Sequence, residues 1–477
     1  MNPADYQSLH GLPPLAGLTT FDEARKPGLS VEESTRRLKR LHYAFRRLHG
    51  IFIARLAAEP LYELKMAFSL HAHYCAEHAA ALRARVGEMR EPPLGLEVVP
   101  DVALEIFFDE ILAAPKTLAL TESLYGKAVE ALAEAITEYQ NDANPLADAP
   151  SLRVLRFAAL EVDDMSRYGL DVLVGLTVNG RDNTNDSDKS WASYLDALLA
   201  AAGGISGPAP GGFVPARRLS AQPFRYDPVP RRDERFPDPY NMGVNAEVFL
   251  HDPEMPPAAK CLMMYYRRIR EIDVPEMMSS ILVETPGKPW SYTRDMTRQL
   301  WDEARHAMMG EVGFVDMGVD WHKVMVNFTW SLGLNTQLTA KERHGVLYYI
   351  EQGQMPKTGK RYEWEMALMA ENALAATFQD FDWADEVLHS RIGRDWYVSE
   401  FASGKEAVDY GDRCWSKVLI GWREWRDQGK TQHRNWWPDV YCEACEQWGM
   451  PPESRVLAYN ESYETKRADL KTLPVSG

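Results

Sequence analysis

Cysteine is scarce in this chain. Five residues in 477 (Cys75, Cys261, Cys414, Cys442 and Cys445) form an odd and sparse set, which excludes the disulfide framework of a small secreted scaffold. No apolar run approaches the roughly 18 residues that a membrane-spanning helix needs. The opening segment, MNPADYQSLHGLPPLAG, lacks a basic stretch followed by an apolar one, so no signal peptide is expected. Positive charge is also short: 53 Lys and Arg stand against 69 Asp and Glu, a net −16. Such a field repels nucleic acid and anionic membranes. Alternating strand patterns are scarce, and no P-loop, dinucleotide fingerprint or serine nucleophile elbow is present. With 45% hydrophobic and 11% aromatic residues, the chain can still bury sizeable cores. The expectation is a soluble, reduced, cytoplasmic protein of all-α class, long enough for two or three domains.

Its organisation follows from where helical periodicity starts and stops. Residues 1–33 read as a loop segment. Residues 34–202 read as a helical domain, with helical text over 34–90, 101–140, 151–168 and 190–202. Between the last two, Asn179 to Asp186 forms a polar turn, but a calcium loop is rejected because its Gly and terminal Glu are out of place. Residues 203–244 are dense in Gly and Pro, including Pro208, Pro210, Pro215, Pro223, Pro228, Pro230, Pro237 and Pro239, which blocks regular structure. Phe224, Tyr226, Arg231, Arg232 and Phe236 make that segment too aromatic and charged for a loose tether, so it should pack along a surface. Residues 245–410 return to helical text. Residues 411–477 are a Trp-rich extension with Trp415, Trp422, Trp425, Trp436, Trp437 and Trp448.

One short word occurs twice within 245–410. Asp302-Glu303-Ala304-Arg305-His306 and Asp385-Glu386-Val387-Leu388-His389 both read D-E-x-x-H. Residues three apart share a helix face, so each Glu and His can reach one metal ion together. Two such helices, each opposed by another inward Glu, make the di-metal carboxylate site of a four-helix bundle. A single E-x-x-H is weak, with on the order of one chance match in a chain of average usage. Two, both preceded by Asp and both in apolar helical runs, are not.

The two remaining Glu ligands are sought by height above the turns. Glu303 lies 16 residues beyond Gly287 and Glu271 lies 16 before it, about 24 Å from the turn on each side. Glu271 is therefore preferred to Glu276, although a helix restarting at Pro275 would favour Glu276. Glu351 stands 35 residues before Glu386, close to the 32 that separate Glu271 from Glu303. That spacing puts the second turn near Ala370 to Asn372, although Pro356 and Gly359 make a stronger break off centre, and Glu342 is the fallback ligand. Asp302 and Asp385 are expected to fix the imidazole of the opposite helix, and Arg305 either balances the site's charge or makes a surface pair. Tyr265, Tyr266 and Trp301 lie nearby in sequence and are read as packing residues rather than an electron relay.

These residues resemble an uncharacterised bacterial ferritin-like family. Its patterns, H-x-E, P-W and D-E-x-R-H, then E and D-E-x-x-H-x-x-x-G-x-x-W, are matched from Glu271 through Pro289-Trp290 to His306, and from Glu351 through His389 to Gly393 and Trp396. The match spans about a third of the chain. It departs at the His two residues before the first Glu, a position held here by Ile269 with Arg270 beside it. The resemblance implies a ferritin-like four-helix bundle with a di-metal site, in a superfamily of oxygenases, desaturases, the ribonucleotide reductase radical subunit, a tRNA hydroxylase and storage ferritins. The acidic balance disfavours the tRNA reading, and the chain length disfavours a storage shell.

The expected function is a non-haem oxidoreductase that uses two Fe ions, two Mn ions or a mixed Mn/Fe pair to activate O2 and oxidise a small molecule. It would need an electron donor and would bind neither nucleic acid nor membrane, and it could act as a homodimer. The rival is a non-catalytic metal-binding or assembly protein. In the first half, Pro150 to Arg167 echoes Pro289 to His306 at an offset of 139, with Asp164 and Arg167 in place of Glu and His. Arg cannot ligate a metal, so 34–202 is either a degenerate copy of the bundle or an unrelated helical layer. His71, His73, Glu77 and His78 lack a partner word, and the three histidines read as ordinary core or surface residues. The basic run with Arg36, Arg37, Arg40, Arg46 and Arg47 reads as a solvated face. Cys442 and Cys445, even with Cys414 and His433, fit no standard zinc spacing.

Overall fold

The computed structural model describes residues 6–89, 94–178, 186–207, 213–241, 243–421 and 423–463, and of residues 186–189, 419–421 and 423–424 the backbone alone. Most of the polar turn after Asn179, together with Pro208, Pro210 and Trp422, lies outside the described residues. The protein is all-helical, 71% helix, with no strand among the described residues beyond one isolated bridge between Val244 and Ser462. None of the described helices is long and apolar enough to cross a membrane. The chain divides into two compact units, Met1–Phe52 with His71–Arg225, and Ile53–Leu70 with Tyr226–Gly477.

The first unit is built from α1 (Val31–Leu56), α2 (Tyr62–Glu88), α3 (Val102–Leu112), α4 (Thr117–Ser123), α5 (Glu130–Asp142), α6 (Ala149–Val178) and α7 (Asp186–Ala202), with α1 and α2 each running on into the second unit. Between α4 and α5 the chain widens into a π-helical stretch, Leu124–Val129. Tyr125 of that stretch lies against Gly169 of α6, where a methyl group would overlap the ring, and its hydroxyl is 2.7 Å from His71 Nδ1. The basic run of α1 is not a solvated face throughout. Arg40 is buried and donates to the carbonyls of Ala202, Gly204 and Ile205, satisfying the open end of α7. Buried Glu110 of α3 holds the connecting segment by accepting from the backbone N–H groups of Arg218, Leu219 and Ser220. Asp163, Asp164 and Arg167 are exposed, and Arg167 pairs with both acids.

Burial has a pH consequence in this unit. It pushes the imidazoles of His49 and His71 down to about 3 from a usual 6.5. The unfolded chain therefore binds more protons than the folded one between those values, so stability is complete above pH 6.5 and lost as pH falls towards 3. The midpoint of urea unfolding should drop between pH 7 and pH 4, and His71→Phe should flatten the drop.

The second unit carries the repeated motif. Its main helices are α8 (Pro257–Ile269), α9 (Asp273–Glu284), α10 (Trp290–Asp316), α11 (Thr329–Gln337), α12 (Ala340–Gln354), α13 (Lys360–Met369), α14 (Ala373–Trp396), α15 (Gly404–Gly421) and α16 (Trp437–Gln447). Helices α8 and α9 pack on α10, α10 on α14, α14 on α12, and α12 back on α9. Small residues permit the closest approach: a methyl group on Gly310 of α10 would overlap the backbone of Ile269 in α8. Pro275 lacks an N–H and crowds the carbonyl of Glu271 one turn earlier. The chain answers with a 3-10 link, Arg270–Ile272, between α8 and α9, and Glu271 sits on it.

The second hairpin differs from the sequence expectation of one turn near residue 371. A first break at 355–359 and a second at 370–372 enclose α13, with Asn372 capping α14. The Pro-rich segment is more deeply engaged than a surface strap, since Phe236 and the Arg232 guanidinium are buried. In the tail, Trp436 and Trp437 are fully buried and Trp425 nearly so.

Candidate metal centre

The D-E-x-x-H words fall on the middle of α10 and α14, which pack together, so their buried faces meet. Two groups of ligand atoms result, each within 4.8 Å. One is Glu271, His306, Asp382 and Glu386, and the other is Glu303, Glu351, Glu386 and His389. All six residues singled out as ligands come together. Asp382 joins them, one turn before Glu386 on the same face of α14, a position that the search for a single Glu per helix passed over.

Each imidazole is held from behind. His306 Nε2 is 3.1 Å from Asp385 Oδ2 and His389 Nε2 is 3.4 Å from Asp302 Oδ2, so each motif's Asp receives the N–H of the other motif's His. That leaves the two Nδ1 atoms facing the carboxylates, as a metal-bound imidazole with an outer carboxylate partner requires. His306 Nδ1 lies 3.5 Å from Glu271, 3.7 Å from Glu303 and 3.3 Å from Asp382. His389 Nδ1 lies 3.2 Å from Glu303, 3.8 Å from Glu351 and 3.9 Å from Glu386. Glu303 thus faces both rings, whose centroids are 5.9 Å apart. Arg305 clamps the outer pair, reaching Asp302 and Asp385 at 2.6 Å each.

The residues fit a pair of cations. Glu271 Oε2, Glu386 Oε2, His306 Nδ1 and His389 Nδ1 are buried and make no hydrogen bond within the protein, an arrangement that is costly unless something fills the coordination. The charges agree. Five inner carboxylates face one Lys (Lys360) and one Arg (Arg268), which leaves a negative excess. Burial disfavours the charged form of His389, yet Asp302 and Glu303 outweigh it and push the ring up to about 9. Burial and the neighbouring Glu386 and Glu303 hold Glu351 well above the usual carboxylate range. The pocket therefore draws positive charge to the Nδ1 positions.

Glu276 and Glu342, the alternatives, are placed elsewhere. Glu276 is fully buried in an ion-pair knot with Lys65 at 2.6 Å and Arg232 at 3.0 Å. Glu342 forms a capping box with Thr339 at the start of α12. Tyr265 and Tyr266 are fully buried among core residues. All five cysteines are free thiols, and among the described residues none joins His433 or any acidic side chain in a ligand group.

Asp385→Ala should weaken metal binding in the His306 half by about 10–100-fold, the usual effect of losing an outer-shell carboxylate. Titration of the metal-free protein with Mn(II) measures it. A change within error would show that the Asp–His bond does not orient the ligand.

No protein-family model matches this chain, and neither a curated protein nor a solved structure is significantly similar to it.

Proposed function

We propose that the second unit is a ferritin-like four-helix bundle holding a di-metal carboxylate centre, and that the protein is an oxidoreductase activating O2 to oxidise a small molecule. The observation that carries this reading is the sharing of Glu386 between two four-residue ligand groups. The ring of contacts from α8/α9 through α10, α14 and α12 supports the bundle. A mixed nitrogen and oxygen donor set rich in carboxylate suits iron or manganese. Glu271, His306, Asp382 and Glu386 would hold one ion, and Glu303, Glu351, Glu386 and His389 the other. A reduced iron pair so bound would supply electrons to dioxygen.

The protein's own part is to orient and to admit. Asp302, Asp385 and Arg305 lock both imidazoles. Glu271, Glu303, Glu351 and Glu386 form one wall of a cavity of about 410 Å³, within the range of small-molecule sites. Its other walls mix apolar residues (Val274, Leu347, Ile350, Trp330 and Trp415) with charged ones (Glu247, Arg267, Arg270 and Asp273), a lining suited to a small organic substrate that carries polar groups. Access of this kind favours turnover over a sealed structural metal. An external electron donor is implied.

The rival, a metal-binding or assembly protein without turnover, draws on the dense ion pairs around Lys360 and Arg268. Metal analysis with optical spectroscopy on admitting O2 to the reduced protein separates the two. Two irons per chain and a transient absorption band support the oxidoreductase. Two irons with no spectral response, or a single zinc, reject the oxidoreductase and favour the rival.

A further inference from the structure

The two halves of the centre are not equivalent. In the His389 half, Glu351 accepts from a neutral amide, Gln299 Nε2 at 3.0 Å, and Glu303 forms ion pairs with the two imidazoles but with no Lys or Arg among the described residues. In the His306 half, two side-chain cations already stand among the ligands. Lys360 Nζ lies 2.9 Å from both oxygens of Asp382, 2.7 Å from Glu386 Oε1 and 3.7 Å from Glu271 Oε1. Arg268 pairs with Asp382 Oδ1 and, at 2.9 Å, with Glu271 Oε1. Both cations are essentially fully buried. Glu386 is divided between the halves, Oε1 towards Lys360 and Oε2 towards His389, where it makes no hydrogen bond.

From this geometry we infer that the centre fills in two unequal steps, the His389 half first and the His306 half only against Lys360. This rests on the di-metal reading above. A divalent ion beside His306 must share Asp382 Oδ1 with an ammonium and a guanidinium, and like charges at such separations in a buried pocket repel strongly. An ion beside His389 meets Glu303 and Glu351, which form no salt bridge with a Lys or Arg among the described residues, and shares with Lys360 the carboxylate of Glu386 through its far oxygen. Lys360 thereby acts as a positioning residue: it stands in for part of the second ion's charge and keeps Asp382 and Glu386 in place. It reaches the cluster because α13, enclosed between the two breaks of the second hairpin, begins at this residue.

The test is titration of the metal-free, full-length protein with Mn(II), read by EPR of the free ion. One tight equivalent is expected, followed by a second at least tenfold weaker. His306→Ala should remove the weak step alone, and His389→Ala the tight one. Lys360→Met should strengthen the weak step at least tenfold, while Lys360→Arg, which keeps the charge, should leave the gap open. The two His variants decide the order of filling even if Lys360→Met does not fold. Two equal steps in the wild type, or loss of the tight step in His306→Ala, would overturn the inference and leave the di-metal reading intact. No uptake at all would end both.

Discussion

Glu386→Ala is expected to weaken both metal ions by more than about 100-fold, beyond the roughly 10–100-fold that loss of an outer-shell partner costs. Glu386 is the residue common to the two ligand groups, and burial of its carboxylate is offset chiefly by Lys360, which holds it well below the usual carboxylate range. Removing it strands the Lys360 ammonium on Asp382 and leaves each ion a ligand short. His306→Ala should by comparison spare the His389 half. Metal content after dialysis against a fixed Mn(II) concentration distinguishes them. Retention of two ions by Glu386→Ala would show that the two groups bind independently, without a shared ligand.

Glu276→Ala should destabilise the second unit by about 3–5 kcal/mol, because removing one partner of a buried ion pair leaves the other charge uncompensated. Here Lys65 would lose its carboxylate and keep the Ala57 carbonyl, while Arg232 would be left with Asp273 alone of its two acids; both side chains are 1% exposed. Ser331 Oγ, which donates to Glu276 at 2.8 Å, would turn to Asp273 or the Phe328 carbonyl, each at 3.1 Å. Burial raises the Glu276 carboxyl, but Arg232 and Lys65 outweigh it and hold the group near a pKa of about 2. Its folded value is depressed, so its stabilisation is full above about pH 4.5 and lost as pH falls towards 2. Urea unfolding at pH 7 measures the loss, and metal uptake should be unchanged. A loss of metal with little change in stability would make Glu276, rather than Glu271, the ligand.

What the sequence made legible follows the range of each interaction. The repeated D-E-x-x-H words are local: three-residue spacing on a helix puts Glu and His on one face whatever the fold. The crossing of each Asp to the opposite His followed from that repetition together with the habit of metal-bound imidazoles. Glu271 was reachable by register, because Pro275 tightens the helix into a 3-10 link without reversing the chain. Glu351 was reached by a spacing argument that assumed a plain hairpin, whereas α13 is inserted there. Lys360 was illegible for the same reason. Its place depends on two successive breaks, and nothing in Gly359-Lys360-Arg361 marks a side chain aimed at a carboxylate cluster. Asp382 was visible in principle, four residues before Glu386, but the bundle motif asks for one acid per helix at that height. Arg40 was read by composition as part of a solvated face, and Arg232 only as part of a segment packed along a surface. Both are buried because they serve backbone carbonyls or acids more than 40 residues away in sequence.

The most direct test of the shared centre is anomalous X-ray scattering from crystals of the protein loaded with excess Mn(II). Two peaks roughly 3.5–4 Å apart, the spacing of two-metal sites, should appear, one beside His306 and one beside His389, with Glu386 between them. A single peak, or two peaks remote from each other or from these histidines, would contradict the account.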